Sequence, residues 1–164
     1  MTHPTSIQNA AEETGLVGAL VRRWAGAWID FIFLVIVVAG PALVLGEELF
    51  ASTMFGWAAL GLLYFPVLEG FWGRSLGKLV TGLRVVDKNG RPPGVGRALI
   101  RTVTRLVEVN PILAGGVPAG LFVFFTKRKQ RLGDLIAGTY VLSADKIKVL
   151  TDVDETLAEL RAKA

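Results

Sequence analysis

Two long apolar stretches constrain the fold of this chain more than any other feature of its sequence. The first, Trp24–Leu45, is interrupted only by Asp30, and the second, Leu49–Leu68, contains no charged residue. Each approaches the roughly 20 apolar residues that a helix needs to cross the hydrocarbon core of a bilayer. The short polar turn at residues 46–48 (Gly-Glu-Glu) separates them. We therefore predict a transmembrane helical hairpin.

The basic residues lie next to these apolar stretches. The formal net charge is +4, and arginines and lysines are concentrated at residues 22–23, 74–84 and 127–131. This placement is typical of the cytoplasmic flanks of membrane helices, so we predict a cytoplasmic N-terminus. It also favours attraction to anionic lipid headgroups. We predict no nucleic-acid partner, because no stacking aromatic residues alternate with these charges.

Composition agrees with a membrane protein and gives little support to enzymatic chemistry. Hydrophobic residues make up 52% of the 164 residues and mean hydropathy is +0.50, which is high for a soluble domain. The chain has no cysteine, and its single histidine, His3, lies in a polar terminal segment. It contains no Ser/His/Asp set, metal-ligand spacing or dinucleotide fingerprint. The sequence therefore predicts neither an enzyme nor a bound cofactor or metal.

The local patterns predict an all-α membrane protein with a short cytoplasmic β element. Residues 83–87 form a β-branched run that ends in a turn signal, and residues 139–143 have similar strand character, so we expect them to pair. Thr151 and Asp154 resemble the capping box of a short helix. The predicted organisation is a flexible cytoplasmic tail (1–15), a membrane domain (16–144) with helices over about 20–45 and 49–69, and a cytoplasmic tail with a short helix (145–164).

The segment 95–108 has the pattern of an amphipathic helix. Its apolar residues share one face, while Arg97, Arg101 and Arg105 recur every four residues on another. We predict a basic helix that lies in the membrane interface.

The apolar segment 111–125 allows two arrangements. It has only about 15 residues, which is below the usual length of a full crossing. A full crossing would also place the basic residues 127–131 outside, against the distribution of the other charges. We favour a re-entrant arrangement, in which 95–110 enters the membrane and 111–125 returns to the cytoplasmic side. A third full span is the alternative.

Asp30 requires an explanation because it lies inside an apolar stretch. A carboxylate at membrane depth is costly and is rarely left without a partner or a task. Arg23 lies on nearly the same helix face, but about 10.5 Å away along the axis, too far for a direct hydrogen bond. Candidate partners from other segments are Lys78, Arg101 and Arg105. Asp30 is either a proton- or cation-binding carboxylate in a polar cavity or half of a buried ion pair that fixes helix packing.

Three further acidic residues lie near the apolar segments. Asp134 follows the basic run and has the local sequence of a helix cap, although it could also be a second carboxylate at the cytoplasmic mouth. Glu69 and Glu108 border the second helix and the re-entrant region, and we expect each to be a solvated or paired interface group.

These residues resemble those of the RDD family, small bacterial membrane proteins named for one arginine and two aspartates. Arg23, Asp30 and Asp134 match the three naming positions. The blocks at 73–87 (Gly-Arg-Ser-Leu-Gly-Lys to Gly-Leu-Arg-Val-Val-Asp) and 96–101 (Gly-Arg-Ala-Leu-Ile-Arg) are similar to the middle of the family. The resemblance covers about residues 20–143. It implies a multi-pass protein of the bacterial inner membrane and adds weight to Asp134. For some members, sodium (lithium)/proton antiport has been proposed.

Two function classes follow. The first is a protein of transporter type in which Asp30 binds a proton or small cation, Arg23 sets its charge balance and Asp134 gates or relays. Two spans cannot enclose a pathway, so this function requires a homo-oligomer, for which the second helix offers small residues (Gly56, Ala58, Ala59 and Gly61). The second is a membrane-embedded scaffold or accessory subunit that recruits a partner, with structural charged residues.

Overall fold

The computed structural model of the protein describes residues 4–108 and 117–163. Within these ranges the chain is mostly helical and contains one two-stranded antiparallel sheet. The elements in chain order are α1 (Pro4–Glu12), α2 (Leu16–Leu45), α3 (Glu47–Trp72), α4 (Leu76–Val80), β1 (Leu83–Val86), α5 (Val95–Glu108), α6 (Val117–Phe125), α7 (Leu132–Ala137), β2 (Tyr140–Ser143) and α8 (Ala144–Lys163).

Helices α2 and α3 form the predicted hairpin. Gly46, with a φ of 77°, turns the chain between them, in a conformation that glycine adopts without steric cost. Both helices are long and apolar enough to cross a membrane, and only 6% and 11% of the residues in their most apolar stretches are buried inside the protein. A core helix of a soluble protein would bury most of such a stretch. The outward-facing apolar surface therefore agrees with two membrane-spanning helices.

The segment after α3 folds back against the strand that follows it. Gly73 ends α3 in the left-handed conformation, with a φ of 68°, and a Cβ there would overlap the carbonyl oxygen of Val85. The N–H of Val85 in turn donates to the carbonyl of Gly73 over 2.7 Å. Strand β1 pairs with β2 in antiparallel register, with Leu83 opposite Ser143 and Val86 opposite Tyr140. The predicted strand pairing is confirmed.

The N-terminal segment differs from the predicted flexible tail. Residues 4–12 form helix α1, and its Ile7, Ala10 and Ala11 are buried against a cluster that includes Tyr140 and Ile147. The physical reason is that these apolar residues recur at helical spacing and meet the apolar face that β2 and α8 leave uncovered.

The C-terminal helix also starts earlier than predicted. Helix α8 begins at Ala144, directly after β2, rather than near the capping box proposed at Thr151. The Thr151 hydroxyl lies inside the helix and donates to the carbonyl of Ile147 over 2.9 Å. Continuous helix from 144 packs Ile147 into the cluster with α1.

Helix α5 confirms the predicted helix. Its central arginine, Arg101, faces the interior of the protein, and its exposed face is apolar. Arg101 is only 1% exposed, whereas four apolar residues of α5 are 40–59% exposed (Leu99, Ile100, Val103 and Leu106). Arg101 faces inward because carboxylates of α3 and α7 meet it inside the protein. The exposed face of α5 is therefore apolar, as suits contact with lipid. The location of α5 in the membrane interface stays a prediction.

The re-entrant segment is only partly described. Residues 109–116 lie outside the described residues, and 117–125 form the nine-residue helix α6, which contacts α2 and α5. The re-entrant arrangement and the third span both stay predictions.

Candidate functional site

Asp30 lies in a pocket of neutral hydrogen-bond donors. Its side chain is almost fully enclosed, with the residue 2% exposed. Oδ1 accepts hydrogen bonds from the Tyr64 hydroxyl and the Gly77 N–H, both at 2.7 Å, and Oδ2 accepts one from the Ser75 hydroxyl at 2.5 Å. Ser75 also caps α4, since its Oγ accepts from the N–H of Lys78. Asp30 thus fastens the start of α4 to the middle of α2.

Two glycines allow this close approach of α2 and α4. A Cβ on Gly77 would overlap the carbonyl oxygen of Gly26 and lie 2.9 Å from Cγ of Asp30. A Cβ on Gly26 would lie 3.1 Å from both the Gly77 carbonyl oxygen and the Thr81 hydroxyl. The backbones can touch here only because neither residue has a side chain.

The predicted basic partners of Asp30 bind other carboxylates. Among the described residues, no arginine or lysine forms an ion pair with Asp30. Lys78, Arg101 and Arg105 all pair instead with Glu69, so the prediction that one of them meets Asp30 is wrong. Arg23 is likewise not a partner of Asp30 and reaches Asp134. Asp30 therefore has no charged protein partner within the described part of the chain.

Glu69 is the first of two carboxylates at the centre of a buried charge network. It is 0% exposed. Its Oε1 is 2.6 Å from Lys78 Nζ and 2.7 Å from Arg105 Nη2, and its Oε2 is 3.1 Å from Arg101 Nε. The guanidinium of Arg105 also stacks on the ring of Phe65, 3.5 Å from the ring centroid. These contacts join α3 to α4 and α5.

The sequence predicted Glu69 to be a solvated or paired interface group. It did not predict that Glu69 lies at the centre of the charge network. The signal that singled out Asp30 was present for Glu69 as well, since it is an acidic residue near the end of an apolar helix. The nearby Trp72 has the pattern of an interfacial anchor, and an acidic residue beside such an anchor is expected to be solvated.

Asp134 is the second central carboxylate, and it is 0% exposed. It forms ion pairs with Arg101, with Arg131 at 3.2 Å and with Arg23 at 3.3 Å. It also caps α7, because Oδ2 accepts the N–H of Arg131 at 3.2 Å. Burial alone raises the pKa of Asp134, but the guanidinium groups of Arg101, Arg131 and Arg23 outweigh it and lower the pKa to about 2. Asp134 is therefore ionised, and it acts both as a helix cap and as a member of the charged site.

Polar side chains around Asp134 complete the network. Arg101 Nη1 donates to the Thr139 hydroxyl at 2.7 Å, and Gln130 Nε2 donates to the Thr139 carbonyl, also at 2.7 Å. Glu108 accepts the N–H of Gly133 at 3.1 Å through Oε1. These bonds fix α7 against α5 and leave the network rigidly held.

A hydrogen-bond chain connects the Asp30 pocket to the charge network. Lys78 Nζ lies 3.4 Å from Ser75 Oγ, which donates to Asp30, and the same ammonium group binds Glu69. Burial lowers the pKa of Lys78 to about 8, although Glu69 raises it in part. The Lys78 ammonium group is therefore separated from Asp30 by one hydroxyl group.

A cavity of about 720 Å³ joins these groups. Five cationic side chains line it (Arg23, Lys78, Arg101, Arg105 and Arg131), together with the carboxylates Asp30 and Asp134. The remaining lining is mostly apolar and comes mainly from α2 and α6, with one residue each from α3, β1, α5 and β2. No group of three or more histidine, cysteine, aspartate or glutamate residues suited to a metal ion occurs in the described ranges. The cavity is therefore lined by both charged and apolar side chains.

Comparison with known proteins identifies the family of this chain. The family model described as the RDD family matches residues 17–138, more than half of the chain. The chain belongs to the RDD family. All three naming residues of this RDD protein line the cavity, and Arg23 is joined to Asp134 but not to Asp30.

One relative extends the comparison. The uncharacterized protein YckC of Bacillus subtilis (strain 168) is 32% identical over 98 residues, which make up 58% of this chain and 65% of that protein. The match thus spans slightly less than two thirds of the relative's length. No solved structure matches this chain. Family membership and the two apolar helices identify a membrane protein.

Proposed function

We propose that this RDD protein is a transporter-type protein of the bacterial inner membrane in which a proton or small cation exchanges at Asp30. The observation that carries the proposal is the state of the Asp30 carboxylate. It is buried within a candidate span and lines a cavity, yet the described residues supply it with neutral donors only. A buried carboxylate without a fixed counter-charge needs a mobile one, either a proton or a cation.

The geometry also supplies a proton route for this exchange. Asp30 accepts three hydrogen bonds, and a carboxylate has about four acceptor positions, so Oδ2 retains room for one more partner. Ser75 connects this oxygen to Lys78, whose pKa of about 8 suits proton exchange near neutral pH. We infer that Asp134, fixed as an anion by three arginines, sets the charge of the cavity.

The distribution of charge supports a cytoplasmic position for the cavity. Because α2 and α3 are antiparallel neighbours, the basic residues 22–23 and 74–78 lie at one end of the hairpin and Glu47 and Glu48 at the other. Under the positive-inside rule the basic end, and with it the N-terminus, is cytoplasmic. A third full span would place the basic residues 127–131 outside, so the same rule favours the re-entrant arrangement.

A single hairpin cannot enclose a pathway, so the proposal includes a homo-oligomer. On α3, Gly61 is used within the chain, because a Cβ there would lie 3.0 Å from Val38 of α2. Gly56, Ala58 and Ala59 remain exposed and offer a surface on which helices of two copies can approach closely.

The test is ion-driven proton flux in proteoliposomes, wild type against Asp30→Asn. We expect sodium- or lithium-dependent flux in the wild type and its loss in a variant that is folded and incorporated normally. Asp152→Asn is the matched control, because Asp152 is exposed on α8, outside the cavity, and should leave flux unchanged. Wild-type flux that persists in Asp30→Asn, or an absence of flux across several cations and pH values, would contradict the proposal.

The same contacts favour one other candidate function, a membrane-embedded scaffold or accessory subunit. Asp30 fastens Ser75 and Gly77 to α2, which is what a purely structural carboxylate does. This function predicts that Asp30→Asn lowers the yield of folded protein and that the wild type carries no flux. Partner capture in the native membrane would then be the next experiment.

Topology has a separate test, because the chain contains no native cysteine. A single cysteine introduced at residue 129 gives an unambiguous label. We expect it to be labelled from the cytoplasmic side, together with a cysteine at residue 22. Labelling of residue 129 from outside would show that the chain crosses the membrane a third time.

A further inference from the structure

The charge network contains more positive than negative charge. The five cations that line the cavity all form ion pairs, but they share only three carboxylates (Glu69, Glu108 and Asp134), so the cations outnumber these carboxylates by two. Asp30 lines the same cavity but forms no ion pair with any of the five cations. With Lys78 protonated, the five cations still exceed the four carboxylates by one positive charge. Such a charge is unfavourable unless an anion accompanies it.

Two guanidinium groups have hydrogen-bond donors to spare at this site. Nη1 of Arg105 and Nη2 of Arg131 are buried, and neither has a hydrogen-bond partner among the described residues. Both side chains line the same cavity, and the positive charge of Arg105 adds to the effect of burial in lowering the pKa of Arg131 to about 10. Free N–H donors on two arginines that line one cavity are suited to an oxyanion, which accepts hydrogen bonds from both.

The apolar part of the cavity indicates what such an anion is attached to. Four of its apolar lining residues are also among the exposed large side chains of the protein, 52–64% exposed (Val21, Trp24, Phe31 and Leu106). They belong to α2 and to the outward apolar face of α5, the surfaces that lipid covers in a membrane protein. The cavity is therefore continuous with the lipid-facing surface. A ligand with an anionic headgroup and apolar chains is complementary to both the cationic and the apolar residues that line the cavity.

We propose that the cavity binds one anionic phospholipid, whose phosphate lies between Arg105 and Arg131 and whose acyl chains follow the apolar wall of α2 and α5. Arg105 is positioned for this task by Glu69, which holds Nη2 at 2.7 Å, and by the ring of Phe65. Nη1 is left free to meet the phosphate. The bound lipid neutralises the excess charge next to Asp30. Lipid binding at this site does not depend on transport activity, and its occupancy can be measured without a flux assay.

The experiment measures lipid binding to the full-length protein in detergent by native mass spectrometry. The probes are phosphatidylglycerol and phosphatidylcholine with identical acyl chains. We expect one tightly held phosphatidylglycerol per chain. Both lipids carry the phosphate, but the trimethylammonium group of phosphatidylcholine adds a positive charge beside the cations that line the cavity, so phosphatidylcholine should bind about tenfold more weakly or worse. Equal affinity for the two lipids would overturn the proposal, and this comparison needs no variant.

Variants then locate the site. Arg105→Gln should raise the dissociation constant for phosphatidylglycerol by about tenfold. Arg97→Gln is the matched control on the same helix, since Arg97 is 42% exposed and pairs with Asp87 outside the cavity, and it should change the constant by less than about twofold. Arg105→Lys keeps the charge beside Glu69 but has no second terminal nitrogen, and it should weaken binding without loss of the fold. Equal effects of Arg105→Gln and Arg97→Gln would refute the location.

A competition arm separates a lipid from a soluble anion. Inorganic phosphate and glycerol phosphate carry the same oxyanion without acyl chains. We expect that neither displaces phosphatidylglycerol at equal concentration, because the apolar wall contributes to binding. Displacement at equal or lower concentration would assign the site to a soluble phosphate compound and overturn the lipid assignment.

Discussion

The most informative perturbation of this protein is Glu69→Gln. Glu69 is completely buried and accepts three charge-assisted hydrogen bonds, from Lys78, Arg101 and Arg105. The substitution keeps the side-chain volume, removes the charge and places an amide N–H₂ opposite one of the donors. Three cations are then left without their shared anion in a site that water does not screen. We therefore expect α3 and α5 to lose most of their polar connection.

The magnitude follows from these contacts. Each hydrogen bond to a charged group contributes roughly 1.5–3 kcal/mol, and the glutamine carbonyl can retain one of them in weaker, neutral form. Removing one partner from a buried ion pair costs about 3–5 kcal/mol, because the other charge stays buried. We expect Glu69→Gln to lower the free energy of unfolding by about 3–5 kcal/mol.

The assay is equilibrium unfolding in mixed detergent micelles, with Glu12→Gln as the matched control. Glu12 and its partner Arg128 are 44% and 40% exposed, so breaking this pair should change the free energy of unfolding by less than about 1 kcal/mol. If Glu69→Gln lies within about 1 kcal/mol of the wild type, as the control does, the buried ion pairs do not hold α3 and α5 together and the reasoning is refuted.

Three further predictions concern neighbouring positions. Gly77→Ala should lower the free energy of unfolding by about 1–3 kcal/mol, because its Cβ overlaps backbone of α2, whereas Gly18→Ala, with open space at the Cβ, should be neutral or stabilising in the same assay. The pKa of Asp134 is about 2 in the folded protein and 3.8 in the unfolded chain, so its contribution to the free energy of unfolding is present above about pH 4 and is lost as the pH falls to about 2. Acid titration of the wild type should show this loss of stability, and acid titration of Asp134→Asn should not. The pKa of Lys78 is about 8 in the folded protein and 10.5 in the unfolded chain, so the unfolded chain binds more protons between these two values. The free energy of unfolding of the wild type should therefore increase as pH rises from 8 to 10.5, and this increase should be smaller in Lys78→Met. A lysine NMR titration with a midpoint near 10.5 would contradict this last assignment.

Local sequence patterns were sufficient for the two long helices, the strand pair and α5, but not for the short helix α4. The apolar runs predicted α2 and α3, the β-branched run predicted β1 and its pairing with β2, and the helical periodicity predicted α5. Each signal depends on residues a few positions apart, so a single chain displays it in full. Helix α1 was missed for the opposite reason, since its apolar stripe is short and becomes meaningful only against the cluster that β2 and α8 complete.

The sequence by itself also identified the charged residues that lie beside or within an apolar stretch. Arg23 and Asp30 are conspicuous at the start of an apolar stretch and within it, and the resemblance to the RDD family adds Asp134. Only the tertiary structure decided how these charges are paired. Arg23 reaches Asp134 across 111 positions of sequence, and Arg101 reaches Glu69 across 32, while Asp30 receives a tyrosine, a serine and a backbone N–H. The physical reason is that a helix with arginines every four residues has one pattern whether that face meets headgroups or buried carboxylates. Because α3 and α7 pack against α5, the central arginine of α5 faces inward and its leucines are exposed on the surface that suits contact with lipid.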